Sequence, residues 1–230
     1  MLTFTPILLA LVYALFSYHF SAWRTKKMLD AKSRPLTDPA ILRLAGQLAV
    51  ALDLPAIRVQ VFEIEPVNGL AAPDGRIFLT RGFLNRKARG EVSAEELASV
   101  IAHELGHVAL GHMRRRMIDF TGQNVVFVML AAVFNRFIPG LGGWIANLIS
   151  GALLARLSRR DEFEADAYAS ALLIKAGIGT GPQKSLFAKL EKLTQSPGAG
   201  TPAWLLSHPK AAERIAAITQ NEARWTAVQA

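Results

Sequence analysis

The sequence predicts an α+β fold, predominantly helical, with one small sheet beside a central helix. Three observations predict it. Long stretches carry helix-start signals followed by apolar residues at helical spacing, the β-like alternation is confined to residues 57–80, and no internal repeat is present. A chain of 230 residues has room for one domain of ordinary size plus accessory segments.

Residues 2–23 contain no charged side chain and are mostly Leu, Ile, Val, Phe, Tyr and Ala. Roughly 20 such residues span the hydrocarbon core of a bilayer. Arg24, Lys26 and Lys27 follow at once, with no basic segment before the apolar stretch and no small-residue cleavage site after it. This reads as a retained anchor over residues 1–27, and the positive-inside rule puts the rest of the chain on the cytoplasmic side. Residues 28–37 form a polar linker, and residues 38–230 the main domain.

Asp38-Pro39 starts a helix, with a capping acid and proline in the first turn, and Leu54-Pro55 stops it. Residues 57–64 alternate as a half-buried strand does, and residues 76–80 read as the next strand. Asn68-Gly69 and Asp74-Gly75 are turn signals between them. Ser93-x-x-Glu96 is a capping box. A further helix starts near Ser158 and ends before Gly177, and two more cover residues 182–194 and 209–220.

Residues 121–157 are strongly apolar but are broken at Asn135-Arg136 and Pro139-Gly140. Each half is about 14 residues, or roughly 21 Å of helix, too short to cross a core of about 30 Å. Arginines 114–116 flank one side and Arg156, Arg159 and Arg160 the other. We read an apolar hairpin that dips into a lipid leaflet with its basic flanks on anionic headgroups; the alternative is a hairpin packed on the protein's own core. The net charge of +8 is thereby assigned to a membrane surface. Nucleic acid is not expected, because these arginines border apolar stretches rather than a polar groove with stacking aromatics.

The helix begun by the capping box carries His103-Glu104-Leu105-Gly106-His107. Residues four apart share a helix face, so His103 and His107 can offer two imidazoles to one ion. Glu104 is rotated away from them and suits a general base acting on a water beside that ion. Catalytic zinc takes three protein ligands and leaves one position open. The chain has no cysteine, which excludes thiolate zinc sites and thiol catalysis. His112 is five residues past His107 and points to another side, while Leu110 and Met113 rule out the pattern with a third histidine six residues on. Glu162 and Asp166, four apart on a later helix, can supply one ligand and one acceptor for a ligand's N–H. Glu164 faces away from that pair. Spacing leaves open which of the two ligates. His19, inside the apolar N-terminal stretch, is not read as catalytic.

His-Glu-Leu-Gly-His followed by Ser-Arg-Arg-Asp-Glu-Phe-Glu-Ala-Asp-Ala resembles the gluzincin metallopeptidases of the HtpX and CAAX prenyl protease type. The resemblance covers roughly residues 67–215. It implies a gluzincin-like fold, one Zn2+ held by His103, His107 and Glu162, Glu104 as general base, and Asp166 behind a ligating histidine. Residues 68–75 resemble the family's extended edge that pairs with substrate backbone, which implicates Asn68 and Ala71 in substrate binding. Gly69 stands where the family prefers Ala, and Asp74 where it prefers Gly. Ser207-His208-Pro209 and Glu213-Arg214-Ile215 resemble a C-terminal element, which implies His208 as a catalytic oxyanion donor and Arg214 as a substrate-side stabiliser. The resulting expectation is a membrane-associated zinc endopeptidase acting on membrane-associated or misfolded polypeptides. The alternative is a membrane-bound adaptor or chaperone with a degenerate site.

Overall fold

The computed structural model describes residues 12, 16, 19–20, 23–72, 74–112, 115, 127, 130–131, 133–195 and 211–228. Among the described residues the elements are β1 (Ser33–Pro35), α1 (Pro39–Ala51), β2 (Val59–Phe62), β3 (Gly69–Ala71), β4 (Ile77–Thr80), α2 (Arg81–Ala88), α3 (Ala94–Ala109), α4 (Gly142–Lys175), α5 (Gly181–Gln195) and α6 (Ala211–Val228). The architecture is the α+β arrangement expected, helical with one four-stranded sheet. The chain separates into two compact units, residues 1–31 with 111–158, and residues 32–110 with 159–230.

In the second unit, α1 starts where the sequence says it should. Asp38 Oδ1 accepts the N–H groups of Ala40 and Ile41, each at 3.1 Å. Ile41, Leu44, Ala45 and Leu48 then fall on one buried stripe. The helix ends at Ala51 with Leu52 as its cap, and Asp53 beyond it takes a left-handed φ of 56°, a conformation Asp tolerates better than most residues.

The sheet has the order β1-β2-β4-β3. β2 and β4 pair in parallel from Val59↔Ile77 to Phe62↔Thr80, and the outer pairs are antiparallel. All four residues of β4 are buried, as a central strand's should be. The two edges differ in kind. β1 is Ser-Arg-Pro, with an exposed arginine and a proline that cannot donate, whereas β3 is Gly-Leu-Ala. Ile77, Leu79, Phe83, Leu97 and Ile101 form the core between the sheet and α3, and Leu172, Leu173, Leu186 and Leu190 extend it onto α4 and α5.

Three features depart from the sequence reading. β1 lies inside the expected polar linker, because residues 33–35 gain strand geometry from pairing with β2 rather than from their own pattern. α2 was not anticipated. The helix expected near Ser158 begins instead at Gly142, so the later part of the apolar hairpin and the Glu162 helix are one continuous helix. The break falls at residues 138–141, where Gly140 has a φ of 86° and the N–H of Gly142 is taken by Asn135 Oδ1 at 3.1 Å.

In the first unit, the described residues are helical except around residues 111 and 138–141, and they expose large apolar side chains, among them Phe16, Phe20, Trp23, Phe137, Trp144 and Leu148. Among the described residues, no helix is long and apolar enough to cross a membrane. Most of the expected anchor, residues 1–11 above all, lies outside the described residues, as does much of residues 116–132.

Candidate metal centre

The site is built on α3. Ser93 Oγ accepts the N–H of Glu96 at 3.1 Å and Glu96 Oε2 accepts the N–H of Ser93 at 2.8 Å, so the capping box is complete. Glu96 is also held from α5, by Ser185 Oγ at 2.7 Å and Lys189 Nζ at 2.9 Å. The helix is therefore pinned at its start, and the residues three turns along inherit a fixed position. His103, Glu104 and His107 are all buried.

The fit between α3 and its neighbours depends on two glycines. A Cβ at Gly106 would lie 3.0 Å from the carbonyl oxygen of Ala165 and 3.1 Å from its Cα, so α3 and α4 approach backbone to backbone. A Cβ at Gly69 would collide with Val100 Cγ1 and stand 3.3 Å from Glu104 Oε1. The glycine at position 69 thus lets β3 lie directly over the helix that carries Glu104, and it accounts for the departure from Ala noted in the sequence.

His103 Nε2 and His107 Nε2 are 3.1 Å apart. Glu162 from α4 places Oε2 at 3.3 Å from the first and Oε1 at 3.5 Å from the second. All three residues are buried, and their ligand atoms lie within 4.8 Å of one another. Two nitrogens bound to one tetrahedral zinc at about 2.0–2.1 Å would lie roughly 3.3 Å apart, so this donor set fits that ion without rearrangement. Two imidazoles and one carboxylate are also the chemistry zinc accepts with a position left open.

Behind His103, Nδ1 is 3.0 Å from Asp166 Oδ1. Asp166 in turn accepts two bonds of 2.6 Å from Arg214 on α6, Nε to Oδ2 and NH2 to Oδ1. Arg214 is fully buried, with its guanidinium 4.1 Å from the ring centre of Phe187. Burial pushes the Asp166 carboxyl up, but the charge and hydrogen bonds of Arg214, with the bond to His103, overcome it and leave it below its usual value. Burial alone would lower the pKa of His103. Hydrogen bonds to Asp166 and Glu162 outweigh it, and the value rises to about 9. His107 moves the other way, lowered by its burial and by the charge on His103, against the bond to Glu162.

The structure thus brings together His103, His107, Glu162 and Asp166. Glu104 sits beside them under β3. Asn68, just before β3, donates its N–H to Thr80 Oγ1 at 3.0 Å, and its buried Oδ1 has no hydrogen-bond partner among the described residues. Ala71 ends β3 opposite Ile77. Glu164 pairs with Arg160 at 2.8 Å, away from the cluster. Arg214, expected to face substrate, is buried with its guanidinium on Asp166. His208 lies outside the described residues. Sequence reasoning missed Phe187, and it missed Gln183, whose Nε2 donates to the Asp166 carbonyl at 3.3 Å. Nothing local to α5 marks either residue.

A His-Glu-x-x-His helix, a carboxylate from a second helix placed where it could ligate, and a short edge strand over the site form the arrangement that zinc metallopeptidases use. The comparisons agree. The sequence description of Peptidase family M48 matches residues 35–222, and the chain belongs to that family of zinc metallopeptidases. It is similar to the metalloprotease LoiP of Escherichia coli strain K12, 30% identical over 171 residues covering 74% of this chain and 65% of LoiP. It is similar also to the protease HtpX of Pseudomonas aeruginosa strain PAO1, 26% identical over 250 residues, 89% of this chain and 81% of HtpX. Human mitochondrial metalloendopeptidase OMA1 is 25% identical over 164 residues, 68% of this chain and 30% of OMA1. The chain spans about 65% of the length of LoiP and of a second E. coli relative, the metalloprotease YcaL.

Proposed function

We propose that the chain is a membrane-associated zinc endopeptidase that hydrolyses peptide bonds of membrane-associated or misfolded polypeptides. The observation that carries this reading is the convergence of His103, His107 and Glu162 on one point, with Asp166 behind His103. Zinc, when bound there, supplies Lewis acidity, which polarises the scissile carbonyl and brings the pKa of a water toward about 7. Glu104 is the general base: its carboxylate takes the proton from the attacking water and returns it to the leaving amine. Asp166 accepts the Nδ1–H of His103 and so keeps the Nε2 lone pair directed at the ion. The edge of β3, with Asn68 and Ala71, receives substrate backbone as an added strand. His208 is assigned the oxyanion.

Membrane association is supported by the uncharged residues 2–23 and by the exposed apolar side chains of the first unit, Phe137 at 75% and Trp144 at 66% among them. The basic flank after residue 23 supports a cytoplasmic side for the catalytic unit.

The test is zinc content and casein cleavage in detergent, wild type against Glu104→Gln. Both proteins should retain about one zinc, and cleavage should fall at least about 100-fold in the variant, the scale of general-base catalysis. A wild type without zinc, or a variant that cleaves normally, would leave the adaptor or chaperone reading in its place.

A further inference from the structure

We propose that Arg214 is a positioning residue that acts on the metal site through Asp166, and that it couples the docking of α6 to metal binding. This rests on the reading of His103, His107 and Glu162 as zinc ligands.

Asp166 alone would not hold a fixed orientation. It is buried, and a carboxylate with one partner can turn about its Cβ–Cγ bond and present either oxygen. Here both oxygens are engaged by one rigid fork, Nε on Oδ2 and NH2 on Oδ1, each at 2.6 Å. A planar guanidinium bound through two parallel bonds fixes both the position and the plane of its carboxylate. Oδ1 is thereby held 3.0 Å from His103 Nδ1. The ring of His103 is fixed in turn, with Nε2 toward His107 and Glu162.

The fork itself is held in place. Arg214 has no exposed surface, and the Phe187 ring from α5 backs its guanidinium. A group so enclosed cannot touch a peptide lying along β3 without leaving its pocket. Arg214 NH2 also lies 3.3 Å from His103 Nδ1 and 4.0 Å from Glu162 Oε2. An Nδ1 that gives its N–H to Asp166 has no lone pair to accept it, so the hydrogen-bonded connection runs from Arg214 on α6 through Asp166 on α4 to His103 on α3. Coupling of this kind is reciprocal. An ion that immobilises His103 favours the arrangement in which Arg214 is docked, and an undocked α6 releases Asp166 and weakens the ion's hold.

The test uses the full chain in detergent, with Arg214→Gln, Arg214→Lys, Asp166→Asn and the Asp166→Asn/Arg214→Gln double variant. Four readouts are taken: Zn2+ affinity by chelator competition, the visible spectrum of the Co2+-substituted protein, kcat and KM separately on a peptide substrate, and hydrogen exchange of residues 211–228 with and without Zn2+. Arg214→Gln should weaken Zn2+ binding about 10- to 100-fold, the range for partners of metal ligands, and alter the Co2+ spectrum. Its kcat should fall while KM stays within about twofold. Arg214→Lys should recover part of the affinity. The double variant should bind Zn2+ no more weakly than Asp166→Asn, because both act along one path. Zn2+ should slow exchange in residues 211–228 of the wild type and lose that effect in Arg214→Gln.

Unchanged Zn2+ affinity and Co2+ spectrum with a raised KM would overturn the proposal and return Arg214 to the substrate. Additive losses in the double variant would overturn it as well. If Arg214→Gln fails to fold, the lysine variant and the charge-balanced double variant carry the same comparisons. A wild type that binds no Zn2+ would defeat the metallopeptidase reading beneath it, whereas equal Zn2+ affinity in wild type and Arg214→Gln would defeat this inference alone.

Discussion

Two buried carboxylates, Glu96 on α3 and Asp166 on α4, are each held by a cation from another helix. At the start of α3, Glu96 accepts bonds from the Ser93 N–H, from Ser185 and from Lys189. Three turns later, Asp166 accepts bonds from His103 and from Arg214. The cations are treated differently. Lys189 keeps 42% of its side chain exposed, while Arg214 has none. An exposed ammonium that loses its partner is taken up by water, whereas a buried guanidinium has nowhere to go. The same chemical pair is therefore an adjustable fastening at one end of the helix and a committed part of the site at the other.

The strongest way to break that contrast is Asp166→Ala, which strands a buried cation. It should cost about 3–5 kcal/mol, the scale for removing one partner of a buried pair, measured by urea denaturation of the zinc-free protein. A loss below about 1 kcal/mol would mean that Arg214 relaxes to solvent. Glu96→Gln should cost about 2 kcal/mol at pH 7, since charge-assisted bonds are lost while the side chain keeps its shape. Burial pushes the Glu96 carboxyl up, but its bonds to Lys189, Ser185 and Ser93 hold it below its ordinary 4.5. The stabilisation is then fully present above about 4.5 and is lost as pH falls through the depressed value. The gap in Tm between wild type and Glu96→Gln should accordingly be wide at pH 7 and should narrow progressively as the pH falls below about 4.5. A gap independent of pH would show that packing, not charge, holds this end. The smallest effect belongs to Lys189→Met, under about 1 kcal/mol and diminishing with added salt. If it equals that of Asp166→Ala, the two ends are not different at all.

Much of this was legible because its causes are local. The capping box, the four-residue spacing of His103 and His107, and the pairing of Glu162 with Asp166 are all properties of one helical turn. Asp38-Pro39 and the break around Pro139-Gly140 announce themselves in the same way. α2 did not, because Arg-Gly-Phe-Leu-Asn-Arg-Lys-Ala is eight residues with a glycine at its second position and no side-chain cap. Gly82 is there for another reason: a Cβ would run into the backbone carbonyl of Glu65, a contact 17 positions away in the chain. β1 was hidden because Ser-Arg-Pro has no strand preference and exists only by pairing with β2. The resemblance pointed to Arg214 but not to its partner, since Asp166 is 48 positions distant and only the folded chain joins them.

The unequal edges of the sheet have a consequence of their own. β1 ends in proline behind an exposed arginine and is closed to strand addition, as protected edges are. β3 offers three residues, roughly 10 Å, of backbone free of either. On the proposed reading, a target gains entry only by giving up about that length of its own chain in extended form, whatever its side chains. Native helices and paired strands hold that length back, and frayed or unfolding ones release it. The gatekeeper is then the target's own opening equilibrium, and susceptibility is measured by how often a segment comes loose rather than by what it spells.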